Sequence, residues 1–293
     1  MKKLVLIDGN ALVHRAYHAL PKLTTKKGEL VNAVYGFISI LLKVLNDLKP
    51  DYVAATFDLA GPTFRHEEFK DYKATRVRAP QELYDQLSRV KQVLTALNVP
   101  IYEQQGFEAD DVIGTLARQA SEEKKEDVET IIVTGDLDTL QLVNEKVKVY
   151  TLKKGINDTI LYDEKAVRGR YGLSPEQMPD FKGLKGDPSD NIPGVPGVGD
   201  KTAADLLKEY DTIENLYENV GLLPQKIGDK LEEYKEQAAF SKYLATIKTD
   251  VPVKLDLPKC ELHDYNFENV KRLFEELEFF SLLKRLPSNE KKN

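Results

Sequence analysis

Ile131-Ile132-Val133-Thr134-Gly135-Asp136-Leu137-Asp138 decides how the first half of this chain is read: four β-forming residues run into a glycine turn that delivers two aspartates. An uninterrupted run of β-branched residues is the pattern of a strand buried on both faces, as in a parallel sheet. Two other runs end in the same way. Leu4-Val5-Leu6-Ile7 stops at Asp8, and Val53-Ala54-Ala55-Thr56-Phe57 stops at Asp58. In an open parallel sheet the carboxyl ends of the strands lie along one edge, and ligands bind in the crevice beyond it. Acids distant in sequence are therefore expected to meet in one place.

Outward from these strands, apolar residues recur with helical spacing over 31–48 and 109–123, and a further helix is expected from about 80 to 97. Together with strands over 4–7, 52–57, 130–134 and 147–152, they predict an α/β fold with a mostly parallel sheet and flanking helices. Composition changes near Gly172. From Ser174 onward, helices are expected over 202–209, 212–219, 228–246 and 267–286, joined by Gly and Pro turns. The chain thus divides into an α/β core over 1–173, carrying an insertion over about 61–98, and a helical subdomain over 174–287. The Lys/Glu-rich tail 288–293 is expected to fray.

A length of 293 residues suffices for two domains with real cores. The opening apolar run ends at Asp8, too early for a signal peptide, and the patch over 35–45 is too short to span a bilayer. One cysteine, Cys260, allows no internal disulfide, and the four histidines at 14, 18, 66 and 263 lack zinc spacing. A cytoplasmic protein without membrane contact is expected. The net charge of −6 argues against a nucleic-acid partner only if the acids are spread evenly. With nine of the 48 acids set aside for one metal site, 42 basic residues face 39 acidic ones.

Those nine are Asp8, Asp58, Glu108, Asp110, Asp111, Asp136, Asp138, Asp187 and Asp190. Each small group has an ordinary reading: Glu108, Asp110 and Asp111 suit a helix N-terminus, and Asp136 and Asp138 suit a turn. Their joint convergence does not. Carboxylates side by side raise one another's pKa and require counter-cations. Oxygen-only ligands select hard ions, which here means Mg²⁺, with Mn²⁺ able to substitute. Two such ions about 3.5–4 Å apart are the usual device for phosphodiester hydrolysis.

Directly after Asp190 comes Gly194-Val195-Pro196-Gly197-Val198-Gly199, then a helix start at Asp200-Lys201-Thr202. Bare backbone amides before a helix N-terminus suit a phosphate. A P-loop does not fit, because Asp200 separates the last glycine from Lys201 and no strand precedes the turn. Nor does the run 187–192 supply the twelve-residue ligand series of a calcium loop. Earlier, the insertion interleaves Arg65, Lys70, Lys73, Arg76 and Arg78 with Phe64, Phe69 and Tyr72, cations for phosphate and rings for unpaired bases. Glu67, Glu68 and Asp71 in the same run also fit a plain solvated loop. Arg15, seven residues beyond Asp8, is a further candidate phosphate clamp.

Taken in order, Leu6-Ile7-Asp8-Gly9-Asn10 with Arg15, Phe57-Asp58 with Phe64-Arg65-His66-Glu67 and Tyr72-Lys73, Glu108-Ala109-Asp110-Asp111, Thr134-Gly135-Asp136-Leu137-Asp138 and Gly186-Asp187-Pro188-Ser189-Asp190-Asn191-Ile192-Pro193-Gly194-Val195 resemble the 5′-nuclease (flap endonuclease) family. The likeness runs from Met1 to about Leu286 and is greatest to those members that form the N-terminal 5′→3′ exonuclease domain of bacterial DNA polymerase I.

The resemblance implies a PIN-like α/β core with a helical arch over the active site, followed by a helix-three-turn-helix module of the helix-hairpin-helix type over about 183–210. It divides the acids into Asp8, Asp58, Glu108, Asp110 and Asp111 on one side and Asp136, Asp138, Asp187 and Asp190 on the other. Asp110, Arg15, Lys73 and Arg76 become catalytic candidates; Phe64, Arg65 and Tyr72 become DNA contacts. Gly194, Gly197, Gly199, Lys201 and Thr202 would grip the duplex backbone, with K⁺ as a further ligand of that turn. The implied substrates are branched, flapped or nicked DNA with a 5′ single-stranded end, and RNA primers.

A monomeric structure-selective 5′ nuclease is therefore expected, either free-standing or joined to a DNA polymerase through a linker that begins at 288–293. The alternatives are a flap-DNA-binding module whose acids hold structural ions, and a PIN-type ribonuclease.

Overall fold

The computed structural model describes residues 1–153, 155, 158–262 and 265–286, so the expectation for the tail 288–293 lies outside the described residues. Strand β1 (Lys2–Asp8) leads through helices α1 (Gly9–Ala19) and α2 (Asn32–Leu48) to β2 (Tyr52–Thr56). Next come α3 (Phe64–Glu68), α4 (Gln81–Ala96), β3 (Ile101–Tyr102), α5 (Ala109–Ser121), β4 (Val128–Thr134), β5 (Val147–Leu152) and β6 (Thr159–Tyr162). The strands order β3-β2-β1-β4-β5-β6, with every pairing parallel except β5 with β6. Successive units are added to one side of β1 and then to the other, so the chain reverses direction across the sheet at β1 and β4. This is the crevice where parallel sheets bind ligands.

Apolar alternation explains why the strands read as continuous hydrophobic runs. Leu4, Leu6, Ala54 and Ile132 face one core with α5, while Val5, Ile7, Val53 and Val133 face another with α1, α2 and α4. Both faces are thus covered, as a parallel sheet requires. The register pairs Asp8 with Thr56 and Ile7 with Val133, which brings the ends of β2, β1 and β4 level.

The helical half consists of α6 (Glu164–Tyr171), α7 (Met178–Lys185), α8 (Asp200–Tyr210), α9 (Ile213–Glu218), α10 (Gln225–Glu233), α11 (Lys235–Ala245), α12 (Phe267–Glu276) and α13 (Phe280–Leu283). Two single helices expected from spacing are each broken. Tyr234 separates α10 from α11 with φ −108° and ψ 19°, and Glu278, at φ 60°, lies in the break between α12 and α13. Neither break carries Gly or Pro, so nothing local marks it. No helix among the described residues is long and apolar enough to cross a membrane.

The insertion 61–98 also differs from a helical arch. Its long helix, α4, buries Leu83, Gln86, Val90, Val93 and Leu94, with its apolar residues in the same core as α2. Only α3 and the turns over 69–80 are left to border the strand ends.

Candidate active site

Each strand end holds its acid through backbone geometry. Asp8 closes β1 and also caps α1: its Oδ1 accepts from Ala11 N at 2.9 Å and its Oδ2 from Thr134 Oγ1 at 2.6 Å. Gly9 permits this turn, since a Cβ there would lie 2.2 Å from the Phe57 ring. Asp58, after β2, accepts from Ala109 N at 2.7 Å, and its own N–H donates to Asn10 Oδ1 at 3.1 Å. Glu108 precedes α5 and Asp110 sits in its first turn, while Asp136 caps the six-residue 3-10 helix Leu137–Leu142 that carries Asp138. The loop after α7 adds Asp187 and Asp190.

Asp8, Asp58, Glu108, Asp110, Asp136, Asp138 and Asp190 line one pocket, with Asn10, His14, Lys73 and Arg76 at its walls. Asp187 joins from beside it: ligand oxygens of Asp138, Asp187 and Asp190 all lie within 4.8 Å of one another.

Electrostatics divide the acids into two groups. Burial pushes Asp8 up to about 7, with Asp58 and Asp136 adding repulsion against the opposing bonds from Thr134 and Ala11. Asp110 is raised well above its usual value by burial and then by Asp8, Asp136 and Asp138. Asp58, exposed at the pocket mouth, is raised too, by desolvation and by Glu108 against the Ala109 hydrogen bond. Asp8, Asp58 and Asp110 have no ion pair among the described residues. In contrast, burial would raise Asp187, but Lys182 and Ser189 overcome it and hold the carboxyl down at about 2. Ser189 donates to Asp187 through its N–H at 2.9 Å and its hydroxyl at 2.6 Å. Asp138 is raised to about 6 by burial and Asp136, with Lys182 opposing.

These carboxylates offer only oxygen donors, and desolvation with mutual repulsion disfavours the charged forms of Asp8 and Asp110. A hard divalent cation fits both facts.

Basic residues of the insertion contact the acids directly. Lys73 Nζ lies 2.6 Å from Glu108 Oε1 and 3.8 Å from Asp190 Oδ2. Its backbone is left-handed, φ 55°, held by its N–H donating to the Asp190 carbonyl at 2.9 Å. Such a conformation is uncommon for a residue with a Cβ and persists where its surroundings enforce it. Arg76 pairs with Asp190 and donates through Nε to the Ser189 carbonyl at 3.2 Å.

Other expected site residues are engaged by protein partners, Arg65 and Tyr72 within the pocket lining itself. Asp111 is fully buried and faces Arg65, not the pocket; the guanidinium meets it at 2.7 and 2.8 Å. Arg65, 3% exposed, also donates to the carbonyls of Leu244 and Thr246 at 2.8 and 2.9 Å. A buried cation so engaged braces α3 against α5 and α11 at the pocket wall. Tyr72 is buried, with its hydroxyl 3.1 Å from both Glu108 and Asp190. Phe64 packs against Phe107, Tyr243 and the Arg65 guanidinium. Arg15 turns from the acids to donate to the carbonyls of Leu152, Lys153 and Gly155.

In the turn before α8, Gly197 and Gly199 are exposed, and in the first turn of α8 Lys201 is exposed and Thr202 half-buried. Gly194 is not a surface glycine: it is buried at φ 60°, and a Cβ there would lie 2.1 Å from Gly186 N. It packs the turn against the loop that carries Asp187. Sequence reasoning missed Lys182, Thr134 and Ser189, all polar partners of the acids. The strand end Thr134 and the Ser189 between two aspartates carried a local signal, whereas Lys182 is five residues before Asp187 inside an ordinary helix.

Comparison with known proteins agrees with this architecture. Residues 3–172 match the 5′-3′ exonuclease N-terminal resolvase-like domain, and residues 173–268 match the 5′-3′ exonuclease C-terminal SAM fold. DNA polymerase I of Bacillus subtilis is 47% identical over 286 residues, covering 97% of this chain and 32% of that protein. DNA polymerase I of Chloroflexus aurantiacus is 50% identical over 293 residues, covering 97% and 31%. The chain spans about a third of the length of these curated relatives.

Among solved structures, a bacteriophage T5 flap endonuclease in a pseudo-enzyme–product complex with DNA and metal ions superposes with a TM-score of 0.71 at 18% identity, over 94% of this chain and 100% of that one. The catalytic core of Rad2 in complex with DNA substrate gives 0.59 at 15% identity, over 94% and 87%. With both family models matched in order over adjoining segments, and a sheet that gathers its strand-end acids into one pocket, the chain belongs to the 5′-3′ exonuclease family.

Proposed function

We propose that the chain is a metal-dependent, structure-selective nuclease that hydrolyses phosphodiester bonds at 5′ ends and 5′ flaps of branched or nicked DNA, and removes RNA primers. The carrying observation is the convergence of Asp8, Asp58, Asp110, Asp136, Asp138 and Asp190 on one pocket, from three strand ends, a helix start and a loop. Asp8, Asp58, Glu108 and Asp110 are suited to hold one Mg²⁺ and Asp138, Asp187 and Asp190 a second, with Asp136 facing both and Mn²⁺ able to substitute. Such ions supply an activated water and charge relief for the leaving oxygen.

The chain's own residues do the rest. Lys73 and Arg76 stand at the pocket rim, where a substrate phosphate can take them over from Glu108 and Asp190. Exposed Gly197, Gly199 and Lys201 meet the duplex backbone, and the same turn is the candidate K⁺ site. Arg65 and Asp111 act as a brace, and Arg15 holds the β5–β6 connection. The reading carries over to a cytoplasmic replication and repair role, alongside or joined to a DNA polymerase.

The test is a 5′-flap duplex incubated with the chain in chelator and then in Mg²⁺, with single-stranded RNA in parallel. Short 5′ products from the flap in Mg²⁺ alone are expected. An uncut flap in saturating Mg²⁺ with folded protein would overturn the reading, and cleavage confined to RNA would replace it with a ribonuclease.

A further inference from the structure

In the second acid group, the place of a cation is already taken. Lys182, on α7, is 11% exposed; its Nζ lies 2.6 Å from Asp187 Oδ2 and is also paired with Asp138. Those two carboxylates, with Asp190, form the trio whose oxygens lie within 4.8 Å of one another. An ammonium and a divalent ion would therefore seek the same oxygens. Lys185, on the same helix, is directed elsewhere and pairs with Asp200 at 2.7 Å. Among the described residues, no such ammonium pairs with Asp8, Asp58 or Asp110, and in the first group Lys73 pairs with Glu108.

We propose that Lys182 is a positioning residue that acts as an internal counter-cation, so that the second group takes up its divalent ion only when the Lys182 ammonium withdraws. The inference rests on the metal-dependent reading above. Three carboxylates this close repel one another strongly, and one ammonium within hydrogen-bonding distance stabilises them before any ion arrives. A lysine suits the task because its charge is compact and its four-carbon stem is flexible, whereas a guanidinium fork would lock onto the carboxylates. The first group, whose three aspartates have no ion-paired ammonium among the described residues and whose lysine contact is confined to Glu108, fills at lower ion concentration. Once displaced, the ammonium remains beside the pocket and gains a new partner when a substrate phosphate arrives, so the second ion and DNA favour each other's binding. Linkage makes that preference reciprocal.

Mn²⁺ binding to the DNA-free chain, followed by isothermal titration calorimetry, tests this without reference to activity. Lys182→Met and Lys182→Gln are expected to tighten the weaker class of Mn²⁺ sites by about tenfold or more, since removing one adjacent positive charge favours the added cation. Lys185→Met should leave Mn²⁺ binding unchanged, and Asp187→Asn placed in the Lys182→Met background should erase the gain. Lys182→Gln keeps a polar stem among the acids and serves where Lys182→Met does not fold. Folded variants that bind Mn²⁺ no more tightly than the natural chain overturn the role of Lys182 alone. If neither the natural chain nor the variants take up Mn²⁺, the metal-dependent reading itself fails.

Discussion

The two acid groups sit side by side but are built on opposite principles. Asp8, Asp58 and Asp110 are held by a sheet and a helix start and have no ion pair among the described residues; Asp8 and Asp58 accept from the backbone, and Asp8 also from Thr134. Asp138, Asp187 and Asp190 are held largely by loops and are neutralised by Lys182 and Arg76. Burial therefore lifts Asp8 and Asp110, while Lys182 holds Asp187 low. Aspartates without an ion pair depend on an added ion for compensation, whereas a group with its own cations can await one.

Substitution should expose that contrast most strongly. Asp110→Asn removes a carboxylate with no substitute charge nearby, and flap cleavage should fall by about a thousandfold or more while duplex binding changes less than about threefold. Asp187→Asn, in the compensated group, should cost about one order of magnitude less. Single-turnover rates and DNA binding in Ca²⁺ measure both; equal losses would erase the distinction.

Stability of the metal-free chain gives a second, smaller test. The folded pKa of Asp8 is raised from 3.8 to about 7, so the fold favours its protonated form. That contribution is present below about pH 4 and is lost as the pH rises to about 7, on the order of 2–4 kcal/mol. Asp187 has the opposite sign: its contribution is present above pH 3.8 and disappears only towards about 2. Thermal melts in chelator from pH 4.5 to 7.5 should therefore slope downward less for Asp8→Asn than for the natural chain. Mg²⁺ should raise the melting temperature of the natural chain more at pH 7.5 than at pH 5. Parallel slopes would show that Asp8 is not the uncompensated acid described here.

The smallest effect concerns the rim. Lys73→Ala should slow cleavage by about ten- to thirtyfold and weaken duplex binding by less than about threefold, because the ammonium meets one phosphate among many. A loss confined to binding would make Lys73 an anchor for the duplex.

The acid cluster is legible in the sequence, whereas the Lys182 that sets its two groups apart is not. Strand-end aspartates are a local pattern, and parallel pairing converts three local patterns into one edge. The fate of the insertion was not legible, because burial is decided by partners far along the chain. Arg65 and Tyr72 read as surface residues in a charged run, yet Arg65 meets the Leu244 carbonyl 179 residues away and Tyr72 reaches Asp190 across 118. Composition registers charge but not whether the charge is enclosed. The break at Tyr234 was hidden for a related reason: the backbone there departs from the helix without a residue that demands it.

The alignment of Asp8 with Thr56 has one more consequence. Side chains alternate between the faces of a strand, so a slip of a single residue between β1 and β2 would swap the two faces of β1. Leu4 and Leu6 would exchange sides with Val5 and Ile7, against two cores already shaped for them, and Asp8 would no longer face Asp58. A misaligned sheet would lose its packing and its acid cluster in the same event. Folding thus inspects the reaction centre, and a compact molecule with its carboxylates out of line has no stable basin in which to persist.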